Sequence, residues 1–426
     1  MRKVAVNNLG CSKNIVDGET IASYLQSCGF NIINEFEKAD IIIVNTCTFI
    51  QEATEEAIHT ILEMSLFKKE GSCSSLIVSG CFSERYRNSI KNQFPEVDLW
   101  IGVKSWRKEI NKFLGVIGKV SYKRKLTMPI STQYIKIADG CSHGCTFCII
   151  PSIRGSYKSR SISSIIKEAS WLYNRGVKEC IIVAQDTSYY GKDKGTSIVN
   201  LLEILLNKTK FPWIRMMYLH PKYISSDLLN LIQSEKRLLS YFDIPLQHIS
   251  QPILKAMRRA PSDPKQIYRI IDQIRAVVSD ATIRTSFIVG FPGEKNSHFN
   301  QLIKFIERIR FDKLGVFPYS PEEGTGAFDL KHIPHDSTAQ KRCETLMDVQ
   351  REISREIGAL RIGSKETVII DAVHKDTPFK YEGRTRGDAP EIDGRVYFNK
   401  GSCSTGEFVE TKIVDADDYD LYAEIL

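Results

Sequence analysis

The sequence predicts an α/β chain with three parts: an N-terminal parallel α/β domain (residues 1–125), an open (β/α)6 partial barrel (126–360) and a small antiparallel β-barrel (361–426). Three observations predict it. Continuous β-branched runs alternate with helical segments in the first third, the pattern of a parallel sheet buried on both faces. Six strand candidates then alternate with helical stretches. After Gly363 the chain turns to short strands joined by Gly, Asp and Pro turns. At 426 residues the chain also exceeds one ordinary core.

Composition excludes several classes. The chain is 42% hydrophobic and 26% charged, without a low-complexity tract. No apolar run reaches the roughly 18 residues of a membrane span. The opening Met1–Val6 enters a strand-like segment and carries no signal-peptide pattern. A cytoplasmic protein without membrane attachment is expected. Eleven cysteines in that setting favour metal or redox duties over disulfides. The net charge of +7 divides as +3, +9 and −5 over the three parts, so a basic body ends in an acidic piece.

In the first part, Val4–Gly10 leads into Cys11, Ile41–Thr46 into Cys47 and Leu76–Gly80 into Cys81. Ligands of an open α/β sheet collect outside the carboxyl ends of its strands. The topology therefore gathers three cysteines that lie 36 and 34 residues apart. Cys28, Cys73 and Cys180 lack such a setting and read as small buried or surface residues. The basic run Tyr122-Lys123-Arg124-Lys125 reads as a solvated linker.

The middle part opens with Tyr134–Ala138 and then Cys141-Ser142-His143-Gly144-Cys145-Thr146-Phe147-Cys148. Three thiolates on so short a loop suit an iron–sulfur cluster and leave one iron of a [4Fe–4S] cube open to a small molecule. Zinc is the rival, but structural zinc sites use a second Cys or His pair, and none lies nearby. His143, between ligands, is expected to face solvent. Further strands are Glu179–Ala184, Ile214–Leu219, Tyr241–Leu246, Thr282–Val289 and Leu314–Tyr319, with helices near 163–174, 198–208, 225–235, 264–278 and 296–309. Six repeats are too few to close an eight-stranded barrel, and barrel chemistry sits at strand C-termini. Gln185-Asp186-Thr187-Ser188 follows the second strand and is either a polar binding group or a helix-capping turn. His248 follows the fourth and reads as a turn histidine. Gly290, in Ile288–Glu294, permits close backbone approach. Arg154 and Arg160 offer bidentate donor forks for a carboxylate, or surface salt bridges.

An amphipathic helix over Ser337–Leu360 carries Cys343 as core. The tail strands are Thr367–Ala372, Arg395–Phe398 and Phe408–Val414, and Cys403 sits in a Gly/Ser turn.

The triad, with Phe147 before its last cysteine, resembles the signature of the radical S-adenosylmethionine (SAM) superfamily. Asn8–Asp17, Asn45-Thr46-Cys47, Ser79-Gly80-Cys81, Ile149–Gly155 and Ser159-Arg160-Ser161 resemble the methylthiotransferases, and the tail resembles a TRAM domain, a module often used for RNA. The resemblance implies that Cys141, Cys145 and Cys148 hold a [4Fe–4S] cluster that binds and reductively cleaves SAM to a 5′-deoxyadenosyl radical. It implies that Cys11, Cys47 and Cys81 hold an auxiliary [4Fe–4S] cluster that supplies sulfur, while a second SAM supplies the methyl group. Gln185, Asp186, Thr187 and Gly290 are the implied SAM contacts. Leu9-Gly10-Cys11-Ser12-Lys13-Asn14 is closer to the ribosomal-protein branch than to the tRNA branch, whose first motif typically reads G-C-Q-M-N. An acidic tail should also repel RNA and attract a basic protein. The expected reaction is methylthiolation of the β-carbon of an aspartate in ribosomal protein S12, free or within the 30S subunit. An electron donor such as flavodoxin or ferredoxin and a monomeric enzyme are expected with it. The competing readings are a tRNA adenosine methylthiotransferase and a non-catalytic Fe–S binding protein; the latter has no need of two clusters.

Overall fold

The computed structural model describes residues 1–119, 121–375 and 377–426. The first part is a five-stranded parallel sheet, β1 (Lys3–Asn8), β2 (Asn31–Ile33), β3 (Ile41–Thr46), β4 (Ser75–Gly80) and β5 (Leu99–Ile101), in the order β2-β1-β3-β4-β5. Every residue of β3 is buried. Ile41 and Ile43 face one core with Val4, Ile21, Leu25 and Ile77, while Ile42 and Val44 face another with Ala57, Ile61, Leu76 and Phe82. That two-sided burial explains the unbroken apolar run. β2 and β5 are edge strands of three residues each, too short to leave a pattern.

The barrel strands are β6 (Thr132–Lys136), β7 (Glu179–Val183), β8 (Trp213–Met216), β9 (Tyr241–Asp243), β10 (Thr282–Val289) and β11 (Lys313–Pro318). They form two parallel three-stranded sheets. The two meet at a single bridge, Ile214 to Leu238, and at Leu219 N–H donating to Asp243 O (2.8 Å). Among the described residues β6 and β11 do not pair, so the barrel stays open. The five expected helices occur as Ile162–Tyr173, Ile198–Lys208, Ser226–Ser234, Pro264–Val277 and Asn296–Ile309.

After the helix Asp336–Arg361, five strands close a small barrel: β12 (Lys365–Val373), β13 (Tyr381–Arg384), β14 (Val396–Phe398), β15 (Phe408–Ala416) and β16 (Leu421–Ile425). This module packs against the N-terminal ends of the large barrel's strands. Trp213 meets Phe408 edge-on (4.8 Å), and Ile369 and Ala389 complete an apolar column with Tyr134, Ile181, Val183 and Leu239. Beside it Glu179 is clamped between Arg215 and Arg384, 2.8 Å from each, with all three side chains at 0–1% exposure.

Two expectations are corrected here. Arg124 is no solvated linker residue. Its buried guanidinium pairs with Glu19 of the N-terminal domain and donates to Glu168 (2.8 Å) and the Tyr134 carbonyl (2.5 Å) of the barrel. The tail's acidity is also spent partly inside the molecule. Asp388 pairs with Lys313 (2.7 Å), Asp393 with Arg284 (3.4 Å) and Asp418 with Arg355 (2.6 Å). The acidic tail and basic body therefore complement each other before any outside partner is considered.

Replacing Glu179 by Gln leaves the buried Arg215 guanidinium without its anion and Arg384 with Asp371 alone. A loss of about 3–5 kcal/mol is expected in urea unfolding. Asp388 supplies a pH test. Burial opposes its ionisation, but Lys313 and Arg361 outweigh burial and hold its carboxyl at about 2. The folded value lies below the unfolded one, so its contribution of about 2 kcal/mol is complete above pH ~4 and is lost as pH falls toward ~2. Between those limits Asp388→Asn should lose correspondingly less stability than the wild type. Parallel acid-unfolding curves would contradict this.

Candidate active site

The first three cysteines sit where strands give way to helices. Cys11 precedes the helix Ser12–Ser27, Cys47 follows β3, and Cys81 begins the helix Cys81–Ile90. Because β1 pairs with β3 and β3 with β4, their ends are neighbours. Two glycines make the approach possible. A Cβ on Gly10 (φ +79°) would lie 2.4 Å from Cys47 Cβ and 2.8 Å from its Sγ, and one on Gly80 (φ +94°) would strike the Thr46 backbone.

The second triad is a pinned loop. Cys141 N–H donates to Gly155 O (3.0 Å) and Thr146 N–H to Met257 O (3.0 Å), while Thr146 O accepts from Ala327 N–H (2.7 Å). Gly140 (φ +76°) passes so close to Ser156 that a Cβ would sit 2.3 Å from its carbonyl oxygen.

All six cysteines line one cavity of about 380 Å³ at the carboxyl end of the barrel. Eleven free thiols and no disulfide occur among the described residues. The sulfur spacing separates a cluster from a single ion. Zinc–sulfur bonds of ~2.3 Å require tetrahedral ligands about 3.8 Å apart. Neither triad brings its three sulfurs within 4.8 Å of one another. Two sets of three soft donors, each too widely spaced for one ion, fit polynuclear iron–sulfur ligation.

Charge differs across the cavity. Burial opposes ionisation of Cys11, yet Lys13 and Arg154 hold its thiol below the ordinary range. Burial pushes Cys81 up to about 11 despite Arg154, and Cys148 up to about 12. Arg154 is not a surface residue: it donates to Asp17 (2.8 Å), Asp139 (3.1 Å) and Cys81 Sγ (3.4 Å). Arg160 is structural, pairing with Glu168 and the Lys136 carbonyl (both 2.7 Å).

Of the four expected SAM contacts, only Gln185 lines the cavity, and its buried Oε1 has no hydrogen-bond partner. Asp186 points away, accepting from Ser188 (2.6 Å) and the Tyr189 N–H (3.0 Å) and bonding His143 Nε2 (2.6 Å). Thr187 Oγ1 donates to the Met217 carbonyl (2.5 Å), tying β7 to β8. Gly290 faces the helix Asp336–Arg361, where a Cβ would lie 2.6 Å from Ala339. His143, expected in solvent, lines the cavity and stacks on His220 at 4.2 Å. His248 caps its turn, Nδ1 accepting from Ile249 and Ser250 N–H (2.9 and 2.8 Å).

Sequence reasoning missed Lys13, Tyr218, Gln247 and Arg259. Tyr218 (φ 62°) and Gln247 (φ 74°) lie just beyond barrel strands in a conformation that costs a non-glycine residue about 1–3 kcal/mol. Arg259 is buried against the Pro245 carbonyl with its Nε–H unpartnered. Lys13 alone left a trace, two residues after Cys11.

In metal-free protein at pH 8, Cys11 should be alkylated by iodoacetamide before Cys81 and Cys148, because the thiolate is the reacting form. Peptide mass spectrometry gives the order. The reverse order would show that Lys13 and Arg154 do not act on Cys11.

Known families cover the chain in three blocks. Residues 3–102 match Uncharacterized protein family UPF0004, residues 135–306 the Radical SAM superfamily and residues 362–426 the TRAM domain. The chain is 42% identical to the ribosomal protein uS12 methylthiotransferase RimO of Clostridioides difficile (strain 630), covering 100% of this chain and 99% of the relative. It is 43% identical to the protein of that name from Aquifex aeolicus (strain VF5), covering 98% and 96%. Among solved structures, the radical SAM methyltransferase TsrM of Kitasatospora setae, with cobalamin and a [4Fe–4S] cluster bound, shares the fold at TM-score 0.56 and 13% identity over 77% of each chain. The chain belongs to the RimO family of ribosomal protein uS12 methylthiotransferases, within the radical SAM superfamily.

Proposed function

We propose that this chain methylthiolates the β-carbon of an aspartate in ribosomal protein uS12, using SAM and two [4Fe–4S] clusters. The observation that carries the reading is the convergence of two cysteine triads, from two domains, on one cavity. Taken as residues 1–125, 126–360 and 361–426, the three parts divide the work. Cys11, Cys47 and Cys81 would hold the auxiliary cluster, and Cys141, Cys145 and Cys148 the cluster that takes SAM. Bound there, these groups supply one-electron cleavage of SAM, a radical able to remove hydrogen from an unactivated carbon, and sulfur, with a second SAM as methyl donor.

The chain's own residues hold and shield. The unpartnered Oε1 of Gln185 is an acceptor suited to the SAM ammonium, and the unpartnered Nε–H of Arg259 is a donor suited to its carboxylate. Arg154 fixes one triad against the other. Apolar walls from Phe147, Ile150 and Ile153 limit water around the reacting carbon. The reductive step calls for a one-electron donor such as flavodoxin or ferredoxin. The enzyme acts as a cytoplasmic monomer, on uS12 free or within the 30S subunit. Among the described residues no helix is long and apolar enough to cross a membrane.

After anaerobic reconstitution, Cys141→Ala and Cys81→Ala should each lose about four irons per chain, and the double variant about eight. In a deletion strain, mass spectrometry should show uS12 without its methylthio group and tRNA nucleosides unchanged. Unchanged uS12 with lost tRNA methylthiolation would overturn the substrate.

A further inference from the structure

We propose that Lys13 forms a carboxylate subsite on the Cys11 side of the cavity and reads the side chain of the substrate aspartate. The proposal rests on the methylthiotransferase reading above and names the group that selects its substrate.

A buried ammonium is ordinarily paired with an anion. Three neighbouring cations obey this, while Arg259, a further cavity cation without a carboxylate partner among the described residues, is assigned above to the SAM carboxylate. Lys136 pairs with Asp17 and Asp139, Arg154 pairs with the same two carboxylates, and Arg124 pairs with Glu19 and Glu168. Lys13 is 8% exposed and lines the cavity. Among the described residues no carboxylate comes within the 4.0 Å of an ion pair with it. Its ammonium lies instead 3.3 Å from the centroid of the Tyr218 ring. An aromatic face stabilises a cation without neutralising it. The anionic neighbour it does have, the Cys11 thiolate, is a sulfur assigned to the auxiliary cluster, so with that sulfur on iron the ammonium is left for a ligand.

The ring is held there deliberately by the fold. Tyr218 adopts a left-handed conformation at the end of β8. Its N–H donates to Asp243 Oδ2 (2.9 Å) and its carbonyl accepts from Thr187 N–H (2.9 Å), fixing it from both sides. Strain over-determined in this way concentrates at ligand sites. Tyr218 is the positioning residue for Lys13.

The chemistry of the substrate fits. The carboxylate carbon of aspartate is bonded directly to the β-carbon that receives sulfur. An ion pair with Lys13 therefore anchors the reacting carbon one bond from the contact, on the side of Cys11, Cys47 and Cys81. Asparagine has the same shape but leaves the ammonium without an anion. Glutamate keeps the anion but moves its β-carbon one bond farther from it. An adenine base offers no carboxylate at all.

The test uses reconstituted holoenzyme and synthetic peptides of the uS12 substrate loop carrying Asp or Asn at the target position. Wild type should bind the Asp peptide at least about thirtyfold more tightly than the Asn peptide, the scale of an unpaired buried charge. Lys13→Met should weaken the Asp peptide by a similar factor and bring the two peptides to near equality, with iron and acid-labile sulfide at wild-type levels. Lys13→Arg should restore most of the preference. A Lys13→Met protein that keeps its discrimination overturns the proposal. So does one that loses the iron assigned to Cys11, Cys47 and Cys81, because the ammonium then serves those cysteines. A wild-type holoenzyme that neither binds nor modifies the Asp peptide, but methylthiolates tRNA, would instead refute the functional reading beneath it.

Discussion

Arg154 leaves the short helix Ile150–Arg154 just after the second triad and ends between two domains. Asp139 of the barrel lies on one side, with Asp17 and Asn14 of the N-terminal domain on the other. The Nη2 that reaches Asn14 also donates to Cys81 Sγ (3.4 Å). The relative position of the two triads depends on this contact, because each triad is fixed within its own domain and only interdomain groups set them against each other. Truncating it would leave Asp17 and Asp139, both partly exposed, with Lys136 as their remaining cation and would remove the guanidinium that links them to Cys81. Burial opposes ionisation of Asp139, but Lys136 and Arg154 hold its carboxyl well below the usual range, so the joint stays charged.

Lys136–Asp17 and Arg124–Glu19 reinforce the same boundary. These three pairs place their acid on the helix Ser12–Ser27 and their base on the barrel or the segment leading into it, while Arg85–Glu322 (2.6 Å) crosses the same boundary in the opposite sense. That helix begins one residue after Cys11. It therefore supplies the docking anions and the Cys11 end of the site from one rigid element. Cys11 and Cys81 both feel Arg154, yet their thiols move in opposite directions. At Cys81 burial outweighs the guanidinium, whereas at Cys11 Lys13 and backbone N–H donors add to it.

Much of this was legible in the sequence because parallel strands leave unmistakable runs and cysteines stand out at their ends. β1, β3 and β4, the six barrel strands and the gathering of Cys11, Cys47 and Cys81 follow from pattern and topology. Three-residue strands such as β2 and β5 bury too few side chains to mark a period. Arg124 looked solvated because its partners, Glu19 and Glu168, lie 105 and 44 residues away. Asp186 and Thr187 sat in the expected loop, but a local bond from the Tyr189 N–H to Asp186 and a bond from Thr187 to the Met217 carbonyl, 30 residues on, turned them from the cavity. Arg259 and Tyr218 gave no local signal, since their roles arise from positions fixed by distant segments.

The C-terminal module deserves a different description from the one its charge suggested. Its Ile369 and Ala389 enter the apolar column inside the large barrel from below, while the six cysteines lie at the other end. An open six-stranded wall would otherwise leave the lumen accessible to water and dioxygen from two directions. With the lower end stoppered, that route to the chemistry is closed. A small domain remote from the six cysteines thereby narrows the ways in which other molecules can reach them.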